Sequence, residues 1–355
     1  MRRWARVLLL GTNLVLGILL LGWLLQWVGR PALQLLSPRL SILKLAAFLV
    51  VVAVAIVCFT WRWRLLLAGL GDPPPLLRLV GFRSAGQTLA ALIPSAQIGG
   101  DPLRAWLATR AQIAAHDAIA TVATDRALEI GAAAPFSVVF AAVLIQQGIP
   151  ELRSALFTMV VATLAFAMAT FWTARRLGQG KGLVTSFARR TGLDTLPLVE
   201  RRMDVLASSE AAATRLIAQR RRLAFAFLIS IGTNLLVLLE FGFLLSAFGL
   251  PADAVAIVAA IFATAAARQL PVPAGIGVLE GGQLWVFGML GYPPEVGLAV
   301  GLAVRFRELV WALPGLVYLA GGWLGSTKPA AKLARSGLDH REDVAKALLE
   351  NVRLR

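Results

Sequence analysis

The chain has few of the residues from which metal centres and catalytic sites are built. Its 355 residues include one cysteine, Cys58, and two histidines. A single cysteine excludes an intramolecular disulfide, and so small a set of thiol and imidazole groups argues against a cysteine–histidine zinc site. Neither a GxSxG nucleophile motif nor a P-loop motif occurs in the sequence. We therefore expect no enzymatic activity, no metal and no cofactor.

Charge is also scarce. Charged residues make up 15% of the chain and hydrophobic residues 58%, whereas apolar residues form about 45–50% of a soluble domain. Several apolar stretches approach the roughly 20 residues that a helix needs to cross a ~30 Å hydrocarbon layer. These stretches are continuous rather than alternating, which argues against a transmembrane β-barrel. The sequence predicts an all-α polytopic integral membrane protein.

About six full transmembrane helices are predicted, at about 7–28, 45–60, 118–145, 154–172, 223–248 and 296–322. The second ends at Trp61–Arg64, a basic aromatic cluster that we interpret as an anchor at the membrane interface. We expect a single transmembrane domain over 1–325 and a cytoplasmic tail over 326–355.

Two further apolar segments are broken by proline and glycine. The flanks 84–93 and 102–113 surround "PSAQIGGDPLRAW" and are together too short for two crossings, while segment 254–290 contains "QLPVPAGIGVLEGG". Proline and glycine leave backbone groups that hydrocarbon cannot satisfy, so such breaks must be buried in protein or line a wet cavity. Each segment predicts a re-entrant hairpin of two short helices.

The net charge of +16 follows from basic loops. Segment 173–222 contains eleven Lys and Arg residues, whereas 249–254 and 288–296 contain none. Basic loops remain in the cytoplasm and contact anionic headgroups, which explains the charge without nucleic acid. We expect a multi-pass protein of the cytoplasmic (inner) membrane with both termini and segment 173–222 in the cytoplasm. The first hairpin would then enter from the cytoplasm and the second from outside.

The chain contains an internal repeat at a shift of 179 positions, the distance from Pro94 to Pro273. The same shift pairs further residues that are uncommon in membrane segments: Asp101 with Glu280, Trp106 with Trp285, Arg126 with Arg305, Glu129 with Glu308, and Pro135 with Pro314. The repeats run at about 60–145 and 239–324, and the span between them would insert the second copy upside down. Inverted repeats with broken helices are typical of secondary transporters, whose sites lie near the bilayer midplane.

Charged residues within the repeats are the candidate site. Asp101 before Pro102 is typical of a helix N-cap, and Arg104 lies on the same short helix. Arg126 with Glu129, and Arg305 with Glu308, are each three residues apart and share a helix face. These pairs either hold helices together or line the path of an anionic headgroup, and Arg126 and Arg305 are the leading candidates for the second role. Asp125, Arg268 and Arg307 extend the two sets, whereas Glu240 receives no role.

Four motifs together resemble the membrane region of lysylphosphatidylglycerol synthases, the flippase-like domain family. They are "PSAQIGGDPLRAW", "TDRALEI", "PVPAGIGVLEGG" and "RFRELV", and the resemblance covers about 40–325. It implies a lipid translocator of the bacterial cytoplasmic membrane. It also implies substrate-binding roles for the motif residues Gly99, Gly100, Asp101, Arg104, Pro273, Gly275, Gly277 and Glu280. The synthases add an aminoacyl-transferase domain that the short tail cannot supply, so we expect no aminoacyl transfer. The chain is similar in length to stand-alone members of the family that are associated with hopanoid synthesis.

These observations favour a transporter that moves a polar-headed phospholipid or glycolipid between leaflets. Its partners would be membrane lipids with anionic or zwitterionic headgroups. In this hypothesis the arginines hold phosphate, while Asp101 and Glu280 contact an amine, a hydroxyl or protons. Two alternatives remain open: an ion- or proton-coupled carrier of a small solute, and a non-catalytic membrane partner of a lipid-biosynthetic enzyme.

Overall fold

A computed structural model of the chain describes residues 19, 22–24, 26–36, 40–92, 99–179, 182, 191, 203–270 and 272–325. Within these residues the chain is helical and contains no strand, so the prediction of an all-α polytopic membrane protein is confirmed. The first five labelled helices are α1 (Ile42–Leu67), α2 (Leu76–Leu92), α3 (Gly100–Arg110), α4 (Ala115–Ile145) and α5 (Pro150–Gly178). The next five are α6 (Met203–Ala218), α7 (Arg220–Ala247), α8 (Ala254–Gln269), α9 (Val278–Met289) and α10 (Pro294–Gly325).

Four of these helices are long and apolar enough to cross a membrane: α1, α4, α5 and α7. They correspond to the second to fifth predicted spans. Helix α10 corresponds to the sixth; its 32 residues exceed the length that a crossing needs, but Arg305, Arg307 and Glu308 interrupt its apolar sequence. Most of the first predicted span, about 7–28, lies outside the described residues.

The helices of the two repeats match in register. Shifted by 179 positions, α4 would run from 294 to 324, and α10 runs from Pro294 to Gly325. The same shift superimposes the bounds of α1 on α7, α2 on α8 and α3 on α9 to within two residues. Each long partner also contains one proline at the equivalent position, Pro135 in α4 and Pro314 in α10. The repeat therefore includes all of α1 and α7 and is longer than the sequence indicates.

The equivalent helices α1 and α7 run antiparallel. At one end the Ser41 backbone N–H donates to Ala247 O at 2.8 Å. Further along, Arg62 Nη1 donates to Ser230 Oγ at 3.0 Å. At the other end, Gln219 Nε2 donates to Gly69 O at 2.8 Å. Residue numbers thus rise along α1 as they fall along α7, over nearly the whole length of both helices.

Two hairpins of shorter helices follow α1 and α7. In the first, a Cβ built on Gly100 of α3 would lie 2.0 Å from Gly86 O of α2, so the two backbones are in direct contact. In the second, Gln283 of α9 donates to Ala260 O of α8 at 2.9 Å. The tip of the first hairpin, 93–98 with Pro94, lies outside the described residues.

The break between α8 and α9 has a distinct backbone conformation. A 3₁₀ turn covers Pro273–Gly275, and φ is positive at Ala274 (52°), Gly275 (57°) and Gly277 (78°). Glycine adopts this left-handed region without steric cost, so two of the three positions suit their residue. The unusual residue is Ala274, whose carbonyl is held by an arginine of α10.

Candidate functional site

A buried carboxylate joins four helices of the first repeat. Asp125 of α4 is fully buried and accepts from Arg62 Nε of α1 at 2.6 Å, from Arg83 Nη1 of α2 at 2.8 Å and from Arg104 Nη2 of α3 at 2.7 Å. Buried charges are tolerated when they are paired and hydrogen-bonded. Asp125 therefore fixes the relative positions of α1, the first hairpin and α4.

Glu129 lies one turn further along α4. It accepts from Arg62 Nη2 at 3.0 Å, from Arg83 Nη2 at 3.3 Å and from Arg126 Nη1 at 3.4 Å. Arg126 Nε in turn donates to Asp101 of α3 at 2.9 Å. We call these residues the Asp125 cluster: Arg62, Arg83, Asp101, Arg104, Asp125, Arg126 and Glu129.

Two predictions about residues in and beside the Asp125 cluster need correction. Half of Trp61–Arg64 is not an interface anchor: α1 continues to Leu67, Arg62 and Trp63 are fully buried, and the Trp63 indole donates to Thr121 Oγ1 at 3.3 Å, whereas Trp61 is 41% exposed. Asp101 is not the N-cap of α3 either, since Gly99 holds that position. Asp101 lies in the first turn, and its carboxylate accepts from Arg126 Nε.

The signal for Arg62 is present in the sequence. Phe48, Val52 and Ala55 are buried in α1 at helical spacing, and the same spacing leads to Arg62 and Leu66. Extending the helix by two turns beyond the apolar run places Arg62 on the face that is buried.

In the second repeat, Arg305 of α10 holds the break between α8 and α9. Its Nε and Nη2 donate to Glu280 at 2.6 and 3.1 Å. Its Nη1 and Nη2 donate to Ala274 O and Gly275 O, each at 2.6 Å. Nη1 also donates to Glu308 at 2.6 Å. An arginine has five N–H donors, and these five bonds use all of them on protein acceptors.

Glu280 also caps the second half-helix. Its Oε2 accepts from the Gly277 backbone N–H at 2.9 Å, which satisfies one of the free donors at the start of α9. Glu280 is 1% exposed and Arg305 is 21% exposed in its side chain. The Glu280–Arg305 pair is thus the equivalent of the Asp101–Arg126 pair, but it is more deeply buried.

Glu240, to which the sequence assigns no role, is a buried ion-pair partner. Its Oε1 lies 2.8 Å from Arg307 Nε and accepts from the Trp311 indole at 2.5 Å. Arg268 Nη2 of α8 donates to Glu308 at 3.2 Å. We call this set the Arg305 cluster: Glu240, Arg268, Glu280, Arg305, Arg307 and Glu308. Its three arginines balance its three carboxylates, whereas the Asp125 cluster has four arginines for three carboxylates and keeps one net positive charge.

A central cavity of about 230 Å³ lies between the two repeats. It is lined from α1, α2 and α4 of the first repeat and from α7, α8 and α10 of the second. Its polar lining residues are Arg83, Gln87, Glu129, Thr233, Asn234, Thr264, Arg268 and Arg307. Three arginines and one carboxylate line the cavity, and each of these arginines is also paired with a carboxylate: Arg83 with Asp125, Arg268 with Glu308 and Arg307 with Glu240. The excess charge beside the cavity is therefore the single positive charge of the Asp125 cluster.

The structure brings the predicted site residues together in two groups. Glu129 lines the central cavity, and so do Arg268 and Arg307, two of the residues that extend the predicted sets. Asp101, Arg104 and Arg126 meet in the Asp125 cluster, and Glu280, Arg305 and Glu308 meet in the Arg305 cluster. Gly99 and Gly100 begin α3, and Pro273, Gly275 and Gly277 form the break before α9. Within the part of the chain that the structure describes, no group of three or more His, Cys, Asp or Glu residues could hold a metal ion.

Comparison with known proteins places the chain in a family. Residues 9–315 match the family described as the lysylphosphatidylglycerol synthase TM region, and the chain belongs to that family. It is also 22% identical, over 335 residues, to a UPF0104 membrane protein of Methanothermobacter thermautotrophicus; the match covers 88% of this chain and 95% of that protein. No solved structure matches it. The resemblance inferred from the four sequence motifs is confirmed.

Proposed function

We propose that this protein is a transporter of the cytoplasmic membrane that moves a polar-headed lipid between leaflets, with the headgroup passing through the central cavity. In this proposal the chain is an inverted repeat. The register of four helix pairs at one shift and the antiparallel contact of α1 with α7 support it. Both termini are placed in the cytoplasm, as the distribution of Lys and Arg favours.

One observation carries the proposal: a cavity between the repeats is lined by three arginines and a single carboxylate. Transporters built from repeats bind substrate at the repeat interface. Arginine matches phosphate oxygens with two parallel N–H donors. A cavity of about 230 Å³ has the volume of roughly eight water molecules in the liquid, at about 30 Å³ each. That is enough for a phosphate group and little of the acyl chains, which would remain in lipid.

The arginines assigned to the ligand change accordingly. Neither Arg126 nor Arg305 lines the central cavity, and Arg305 uses all five of its N–H donors on protein acceptors. We propose that Arg83, Arg268 and Arg307 face the headgroup, while Arg126 and Arg305 hold the two hairpins in place. Gln87 and Asn234 add amide groups that suit headgroup hydroxyls.

The test is transbilayer movement of short-chain fluorescent phospholipids in proteoliposomes. We expect the protein to accelerate the movement, Arg268→Gln to reduce it at least tenfold, and Arg153→Gln, at an exposed arginine near the start of α5, to leave it unchanged. No acceleration with any anionic or zwitterionic phospholipid would overturn the proposal.

A small-solute carrier is distinguished by binding. Native mass spectrometry with phosphatidylglycerol, and separately with inorganic phosphate or glycerol 3-phosphate, identifies the source of the anion. Retention of the lipid but not of the free anions supports lipid translocation. Tight binding of the free anions, with no lipid retained, supports the solute carrier instead. Capture of a lipid-biosynthetic enzyme without any transport would instead favour a non-catalytic membrane partner of that enzyme.

A further inference from the structure

The repeat makes two helix pairs equivalent, and they are packed differently. The shift of 179 positions turns α2 into α8 and α4 into α10, so the pair α2–α10 is the counterpart of the pair α8–α4. In a fully symmetric molecule both pairs would pack alike. Here α2 and α10 pack extensively, whereas α8 and α4 pack much less.

The contact between α2 and α10 is a close one at three levels. A Cβ built on Gly81 would lie 2.2 Å from the Tyr318 ring, and a Cβ built on Gly315 would lie 2.3 Å from Ser84 O. At the third level, Thr88 Oγ1 donates to Ala312 O at 3.1 Å. The two backbones are thus pressed together through small residues.

The counterpart helices, α8 and α4, are separated at the level of the cavity. Ala133 of α4 is the equivalent of Ala312, but it lines the central cavity together with Thr264 and Arg268 of α8. Val139, the equivalent of Tyr318, is 58% exposed, whereas Tyr318 packs edge-to-face on Phe82. The cavity therefore occupies the place where the other pair of helices makes its contact.

The surfaces needed for the opposite arrangement are present. Helix α2 presents Gly81, Ser84 and Thr88 toward α10, and the same three positions of α8 are alanines: Ala260, Ala263 and Ala267. Small residues at this spacing allow helix backbones to approach closely in a membrane. These alanines are 0%, 2% and 4% exposed, and none of them lines the cavity. Helix α8 can therefore receive α4 as α2 receives α10 only when it turns this face toward α4.

We propose that the helix pairs α2–α10 and α8–α4 are alternating gates of the central cavity, an inference that rests on the proposed function. When α10 parts from α2, α4 closes on α8, with Ala133 against Ala267 as Ala312 now lies against Thr88. With both termini in the cytoplasm, the closed pair α2–α10 is the cytoplasmic gate, and the cavity of this structure belongs to a state closed toward the cytoplasm.

The experiment measures both gates by electron paramagnetic resonance in lipid nanodiscs, in a Cys58→Ser background. One sample carries spin labels at Thr88→Cys and Ala312→Cys, and the other at Ala133→Cys and Ala267→Cys. We expect a short and a long distance for each pair. Gly315→Ala introduces a Cβ against Ser84 O, so it should raise the long-distance fraction at the first pair and the short-distance fraction at the second.

Two further variants keep the outcome interpretable. Tyr318→Ala removes a ring from the same contact without adding a clash, and it should shift both pairs in the same direction as Gly315→Ala. Gly321→Ala lies on the same helix with no atom within 4 Å of its Cβ, and it should shift neither. One unchanging distance at both pairs, or an opening of the first pair without closure of the second, overturns the proposal.

The measurement does not depend on the identity of the cargo. If the two distances change together but no lipid moves, the lipid-transport proposal is rejected and the alternating-gate proposal stands. If lipid moves but the two distances change independently, the lipid-transport proposal stands and the alternating-gate proposal is rejected.

Discussion

Arg62 donates from Nε to Asp125 at 2.6 Å across 63 positions of sequence, and both side chains are fully buried. The same guanidinium reaches Glu129 of α4 and Ser230 of α7. One arginine thereby connects the first helix of the first repeat to α4 of the same repeat and to the first helix of the second. Because Glu129 lines the central cavity, Arg62 also positions a cavity residue without lining the cavity itself.

Arg62→Met is expected to destabilise the protein by about 3 kcal/mol. Removing one partner of a buried ion pair costs roughly 3–5 kcal/mol because it leaves a charge uncompensated, and Arg83 and Arg104 still contact Asp125 and reduce that cost. The measurement is the unfolding midpoint in detergent micelles, followed by tryptophan fluorescence.

The matched control for Arg62→Met is Arg64→Met, two residues along α1, because Arg64 is only partly buried and its Nε contacts Pro74 O at 3.4 Å. It should lower the midpoint little. Equal losses in the two variants would show that the buried pair is not what holds α1 to α4.

Two arginines of the Arg305 cluster, Arg305 and Arg268, are expected to have different roles. Arg305→Gln removes two bonds to the backbone of the break and both bonds to Glu280, so the protein should lose stability and activity together. Arg268→Gln removes the ion pair with Glu308, which keeps Arg305 as a partner, so lipid movement should fall at least tenfold while the unfolding midpoint changes little.

Both quantities are measured on the same preparations, as lipid movement per folded molecule and as the unfolding midpoint. The assignment of Arg268 to the ligand fails if its variant loses stability in proportion to activity. The assignment of Arg305 to the break fails if its variant remains fully stable.

Gly100→Ala is expected to disrupt the first hairpin. A Cβ at this position would come within 2.0 Å of Gly86 O and 2.7 Å of its carbonyl carbon. These atoms are backbone and cannot move as a side chain does, so the cost should reach at least the ~1–3 kcal/mol of an overpacked core. Folded yield by size-exclusion chromatography and the unfolding midpoint report the change.

Gly232→Ala in α7 is the control for Gly100→Ala, since nothing lies within 4 Å of its Cβ. An alanine in a helix interior is favoured over glycine by about 1 kcal/mol, so this variant should be neutral or slightly stabilising. If Gly100→Ala behaves in the same way, the contact between α2 and α3 is looser than the structure describes.

The sequence was informative where the periodicity and the repeat are strong. The bounds of α4, predicted at about 118–145 and found at Ala115–Ile145, follow from a long apolar run. The pairing of Asp101 with Arg126 and of Glu280 with Arg305 could have been suspected, since the repeat places the same charges at the same spacing. The shift of 179 positions also anticipated a second broken hairpin of the same length.

The central cavity could not be predicted in the same way. Arg83, Arg268 and Arg307 have no charged equivalents at the shift of 179, because the equivalent positions are Phe262, Leu89 and Leu128. The cavity forms from six helices, and its lining depends on which face each helix turns inward. Its position also depends on α8 and α4 being parted while α2 and α10 are closed, a tertiary asymmetry that a repeated sequence does not encode.

Tyr292, in the connection between α9 and α10, should titrate above the usual range for tyrosine. Burial of the phenol and the negative charge and hydrogen bond of Asp253 raise the pKa of Tyr292 above 10. The neutral phenol is the favoured form, so this contribution to stability is present below pH 10 and is lost as the pH rises through the raised pKa of the folded state.

The chain has two tyrosines, so Tyr318→Phe leaves Tyr292 as the only one, and ultraviolet absorbance then follows its ionisation directly. Asp253→Asn keeps an oxygen to accept from the Val255 N–H that Asp253 caps at 2.9 Å, yet it removes the charge. In that variant the pKa of Tyr292 should fall toward 10, and an unchanged titration curve would show that Asp253 does not act on it.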